Sequence, residues 1–127
     1  MRELRESVTH EETSTLYVVT YDNDDFDFSI YTRPNNARME FAKELIECFS
    51  EHYNIRLHDL DSEYIEQIKK HIESELRYVA QDFPKIAKRY DVSQDMKIIN
   101  VSVLGAFTAN KNNYNYTCTL LKIEYEK

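Results

Sequence analysis

Residues 16–32 read LYVVTYDNDDFDFSIYT, and this stretch decides the fold. In its second half Phe26, Phe28 and Ile30 alternate with Asp27, Ser29 and Tyr31. Period two means a strand with one buried and one wet face. Leu16 to Tyr21 is an aromatic and β-branched run of strand length. Between the two lies Asp22-Asn23-Asp24-Asp25. Short polar side chains of this kind bond the local backbone and tolerate turn conformations. The stretch therefore predicts a β-hairpin with an acidic tip formed by Asp22, Asp24, Asp25 and Asp27.

Toward the C-terminus, Arg33-Pro34-Asn35-Asn36 breaks the strand, since proline forces the residue before it into an extended conformation. Asn35 or Asn36 is the expected cap of a helix over 37–53, whose stripe is Phe41, Leu45, Cys48, Phe49 and His52. Residues 54–60 read as a connector. Asp61 then caps a second helix whose apolar face is Ile65, Ile68, Ile72, Leu76, Val79 and Phe83. Pro84 lacks an amide hydrogen, so the helix either ends there or restarts, with Asp82 as cap and Ile86, Ala87 and Tyr90 facing inward. Residues 97–107 return to strand, with Ile99, Val101, Val103 and Phe107 on one face. Asn110-Lys111-Asn112-Asn113 is a turn, and Tyr114 to Tyr125 is the last strand. There the apolar positions change phase, from Tyr116, Cys118 and Leu120 to Leu121, Ile123 and Tyr125, which predicts a β-bulge near Leu120. On the N-terminal side, Met1 to Ser14 reads as a polar arm or a short helix containing Glu3 and Arg5.

The order ββ-αα-ββ predicts an α+β fold: one antiparallel sheet of about four strands with two to three helices packed on one face. At 127 residues the chain is expected to form a single domain and to bury about two-thirds of its unfolded surface without a metal or disulfide. Hairpins at both ends leave open sheet edges, which a homodimer would cover.

Composition narrows the function classes. Net charge is -7, and residues 1–32 carry 8 acidic against 2 basic side chains. Such a surface repels nucleic acid and anionic membranes and favours a basic partner. Cys48 and Cys118 read as reduced, buried thiols. The chain lacks an apolar leader and a run of about 20 apolar residues, so the expected setting is cytoplasmic, in its own cell or a host cell. Asn, Ile, Lys and Tyr are frequent, as in proteins of low-GC genomes and their phages.

With one glycine, Gly105, no dinucleotide fingerprint or phosphate-cradling loop exists. No Gly-x-Ser-x-Gly elbow or His-Glu-x-x-His is present either. The aspartate cluster lacks the glycine and the distant bidentate glutamate of a calcium loop. Cys48 and His52, with His58 and Cys118, offer zinc-ligand types without the usual spacing. His71 and Glu75 read as a surface helix pair. Lys69, Lys70, Arg77, Lys85, Lys88 and Arg89 are interleaved with acids, as on a salt-bridged solvent face. Tyr114 and Tyr116, set among Asn112, Asn113 and Asn115, have the composition of a binding loop.

The reading that follows is a small acidic, non-enzymatic protein-binding protein without a cofactor. It would act as a phage or mobile-element inhibitor, blocking the basic nucleic-acid-binding surface of a host enzyme, with no direct nucleic-acid or membrane contact. The expected contact residues are Asp22, Asp24, Asp25, Asp27, Asn112, Tyr114 and Tyr116. The alternatives are a homo-oligomeric structural or accessory subunit, and a metal-dependent hydrolase using Asp22, Asp24 or Asp27 with Glu124.

Overall fold

The computed structural model describes residues 13–126. In chain order the elements are β1 (Thr13–Asp22), β2 (Phe26–Tyr31), α1 (Pro34–Ser50), β3 (Asn54–Leu57), α2 (Ser62–Asp82), α3 (Pro84–Arg89), β4 (Lys97–Lys111) and β5 (Tyr114–Glu126). The fold is α+β, with an antiparallel sheet in the order β2-β1-β5-β4-β3. The sheet has five strands where four were expected. The addition is β3, read from sequence as a connector. Only four residues long, with Ile55 alone half-buried, it has no periodicity to detect, and its backbone groups are satisfied by pairing with β4 from Asn54↔Asn110 to Leu57↔Phe107. The reading of Met1 to Ser14 lies outside the described residues except for Thr13 and Ser14, which open β1.

Contacts divide the described residues into two compact units, 17–61 with 102–122, and 13–16 with 62–101 and 123–126. The first holds the predicted hairpin, in register from Tyr17↔Tyr31 to Asp22↔Phe26. Its core is Val19, Ala37, Cys48, Phe107, Ala109, Cys118 and Leu120, ringed by half-buried aromatics including Phe41 and Tyr116. Helix α1 begins three residues earlier than expected. Arg33, held extended (φ -112, ψ 130), is the N-cap and Pro34 occupies the first turn, so Asn35 and Asn36 lie inside the helix. Of the expected stripe, Phe41, Leu45 and Cys48 face the core, whereas Phe49 is exposed. A helix lying on a sheet buries a narrow line, and Phe49 is turned about 100° from Cys48. His52 lies past the helix end in the left-handed region (φ 65). Gly105 serves a close approach: a Cβ there would stand 3.1 Å from the Phe41 ring.

In the second unit α2 buries Ile68, Ile72 and Leu76 as its periodicity requires. The helix restarts at Pro84 with Phe83 as N-cap in place of Asp82. Ala87 is buried, whereas Ile86 and Phe83 are exposed, because a helix of under two turns covers little beyond one position. Tyr125 is buried and its hydroxyl donates to the Asp91 carbonyl (3.2 Å). At the start of β4 Ile98 is buried, and Ile99, expected on the core face, is exposed.

The phase change on β5 coincides with burial of both alternations of the strand. Cys118 and Leu120 point to one face of the strand, Leu121, Ile123 and Tyr125 to the other, and all five are buried. Val18, Val19 and Thr20 on β1 are likewise all buried, so the middle of both central strands is covered on both faces.

Thr20 and Thr119, both wholly buried, share a hydroxyl–hydroxyl hydrogen bond between these strands. Thr20→Val alone strands the Thr119 hydroxyl and is expected to cost about 1–3 kcal/mol. The double Thr20→Val/Thr119→Val variant is expected to recover most of that loss. Urea titration of the single and double variants measures the cycle.

Candidate functional site

Because β1 lies beside β5, the β1–β2 and β4–β5 turns stand next to each other. The two segments singled out from sequence therefore meet: the Asn23 side-chain amide donates to the Tyr114 hydroxyl at 2.9 Å. The acidic tip is locally braced. Asn23 Oδ1 accepts from the Asp25 amide (3.0 Å), and Asp27 Oδ1 accepts from the Phe28 amide (2.8 Å). Asp24, Asp25 and Asp27 are exposed and Asp22 is half-buried. On the facing turn Asn112 takes a left-handed conformation (φ 57), which asparagine tolerates.

Tyr114 and Tyr116 belong to a run of rings that leads from the core to this surface. Phe41 meets Phe107 edge-on (5.4 Å between centroids), Phe107 stacks on Tyr116 (6.1 Å), Tyr116 on Tyr114 (6.4 Å), and Tyr53 meets Tyr114 edge-on (5.8 Å). The Lys111 ammonium lies 5.5 Å above the Tyr53 ring. Beside these tyrosines is a pocket of about 150 Å³, lined by Tyr53, Tyr114, Tyr116, Cys48 and the carboxylates of Glu44, Glu47 and Glu51. The Tyr116 hydroxyl donates to Glu44 Oε2 (3.0 Å), and the Tyr21 hydroxyl donates to Glu40 Oε1 (3.1 Å). Sequence reasoning missed the glutamates and Tyr53. The available signal was Glu40, Glu44, Glu47 and Glu51, whose spacing places them along one side of a helix.

Burial raises the Glu44 carboxyl above its ordinary pKa, with Glu47 and Glu40 adding to the shift and the Tyr116 hydrogen bond opposing it. A carboxyl raised in the folded state favours folding below its unfolded pKa, and that contribution is lost as pH rises through the folded value. At neutral pH the ionised Glu44 is therefore a liability. Glu44→Gln keeps an acceptor for Tyr116 and removes the charge. The variant is expected to melt at a higher temperature than wild type at pH 7, with the difference gone near pH 4, as thermal denaturation at the two pH values will show.

The remaining sequence candidates are dispersed. Cys48 is buried on α1, whereas His52 is exposed beyond its end, so they do not form a thiol–imidazole pair. Burial pushes the Cys118 thiol up to about 12 and also raises Cys48. Glu124 lies further along β5, where it accepts from the Asn100 amide (3.4 Å). His71 and Glu75 form the expected surface pair (3.9 Å), and Arg77 pairs with Glu73 (3.1 Å). Among the described residues no group of three or more His, Cys, Asp or Glu is placed to hold a metal ion. No described helix is long and apolar enough to cross a membrane.

No family model matches the chain, and no curated protein or solved structure matches it either.

Proposed function

We propose that this chain is a non-enzymatic protein-binding protein whose acidic, tyrosine-rich sheet end engages a basic surface of another protein. The observation that carries this reading is the meeting of the two turns through Asn23 and Tyr114 (2.9 Å), next to a pocket with tyrosine and glutamate walls. Exposed carboxylates steer a basic partner toward the site. Tyrosine rings supply contact area at low entropic cost, and a lysine or arginine side chain has both ring faces and carboxylates to meet in the pocket. A surface that binds phosphate backbones has the matching charge, so occupying it would displace nucleic acid. Inhibition of a host nucleic-acid enzyme by a phage or mobile-element protein is the biological form of this reading. Capture from a low-GC bacterial lysate, with wild type beside an Asp22/Asp24/Asp25/Asp27→Asn variant, tests it. Recovery by wild type of a nucleic-acid-binding protein that added DNA releases is the expected result. Equal recovery by the variant removes the acidic tip from the account.

A second reading rests on a separate observation. Met39, Ile46 and Phe49 of α1 are 70%, 64% and 61% exposed. Their spacing puts them along one side of the helix, an apolar stripe of the kind that a second copy covers. The sheet also keeps its edge strands, β2 and β3. Ile46→Asp is then expected to convert a dimer to a monomer in light scattering. A wild-type chain that stays monomeric at high concentration ends this reading.

A further inference from the structure

Asn54 and Arg56 of β3, with His58 just past its end, follow the two-residue period of a strand and project to one face. The register sets Asn110 opposite Asn54 and Thr108 opposite Arg56. Ile55 and Phe107, one position off, go to the core instead. The polar face so formed is a groove of about 560 Å³ lined by Asn54, Arg56, His58, Thr108 and Asn110. That volume suits a small molecule, since ligand pockets run to about 300–1,000 Å³. Every lining side chain carries a hydrogen-bonding group, so the groove offers polar partners to a ligand.

Three of these side chains are already engaged. His58 Nδ1 is 3.2 Å from the Asp59 carbonyl, and Nε2 is 2.7 Å from the Thr108 hydroxyl. A carbonyl only accepts, so Nδ1 carries the proton, and in the neutral ring Nε2 accepts from Thr108. Thr117, at 3.3 Å, then donates to the Thr108 oxygen. Asn110 gives one amide hydrogen to Asn115 and keeps a second. Arg56 differs. It is exposed, and it forms no hydrogen bond or ion pair among the described residues, although the chain has 23 acidic against 16 basic side chains. Its guanidinium is a planar donor fork, the geometry that matches a carboxylate or phosphate bidentately.

We infer that this groove binds a small oxyanion ligand, a phosphomonoester or a carboxylate, with Arg56 as the bidentate donor and the Asn54 and Asn110 amides adding hydrogen bonds. His58 is a positioning residue that fixes the Thr108 hydroxyl. A net charge of -7 opposes a polyanion, whereas a small ligand brings one or two charges to a single guanidinium. The groove shares no lining residue with the pocket beside Tyr114 and Tyr116.

Amide NMR titration of the full chain tests the inference, using inorganic phosphate, glucose 6-phosphate and citrate, with glucose and matched sodium chloride as controls. Saturable shifts centred on residues 54–58 and 108–110 are expected with at least one oxyanion and with neither control. A response to glucose 6-phosphate assigns the phosphomonoester, and a response to citrate alone assigns the carboxylate. Arg56→Gln, with an otherwise superimposable spectrum, is expected to weaken that affinity about tenfold or more. Arg56→Lys is expected to fall between, because it keeps the charge without the fork. The inference is overturned by the absence of saturable shifts at millimolar ligand, by shifts that glucose reproduces, or by unchanged affinity in Arg56→Gln. Tighter binding of a short single-stranded oligonucleotide at the same residues also overturns it.

Discussion

A Phe107→Ala chain is expected to lose about 3–5 kcal/mol of folding free energy, the usual cost of truncating a buried ring. Phe107 is fully buried and sits between Phe41 and Tyr116. Removing it leaves a cavity that the sheet backbone cannot close, since the residue is held in the β3–β4 register opposite Leu57. Domains of this size are stable by only about 5–15 kcal/mol, so a single truncation takes a large share. The same ring supports the stacked Tyr116 and Tyr114, so any partner binding at the tyrosine surface should weaken alongside stability. Denaturant titration measures the first effect. Phe107→Leu serves as the milder companion because it keeps most of the buried volume.

Neutralising the acidic tip is expected to act in the opposite pattern, with little change in stability and a large change in binding. Asp24, Asp25 and Asp27 are exposed and Asp22 is half-buried, and none belongs to the core, so the near-isosteric Asp→Asn change at the four tip positions removes repulsion without altering a core side chain. Exposed ion pairs contribute about 0.2–1 kcal/mol each, so four lost together amount to about 1–4 kcal/mol, roughly fivefold to several hundredfold in Kd. The loss should fall mainly on the association rate and shrink as salt is raised, because rim charges steer encounter and are screened. Tyr114→Ala should act mainly on the dissociation rate, since it removes contact area. Surface plasmon resonance with a captured partner at low and high salt separates the two. A quadruple variant with unchanged kinetics at low salt would leave the acidic tip without a role.

Most of the architecture was legible as periodicity. The alternation of Phe26, Phe28 and Ile30 marked β2, and Ile68, Ile72 and Leu76 marked the buried side of α2. The misassigned core residues share a cause. Phe49, Ile86 and Ile99 are apolar residues at plausible core spacing that the fold leaves exposed, because the pattern states which faces are apolar and not how wide a face the neighbouring element covers. β3 was missed because four residues with one half-buried position carry no pattern. The acidic and tyrosine segments were each visible as composition. Glu44, Glu47, Glu51 and Tyr53 were not, because their part in the pocket depends on which side of α1 meets β5.

Local chemistry along the chain dictated the hairpin, the helices, the break at Pro84 and the acidic tip, since turn residues, proline and apolar spacing act over a few positions. Placing β1 beside β5 was a matter of long-range pairing, and with it came the contact of Asn23 with Tyr114, the paired hydroxyls of Thr20 and Thr119, and the burial of both faces of the central strands. Strand order is chosen by the total burial and hydrogen bonding of the assembled sheet, a quantity that no single segment contains.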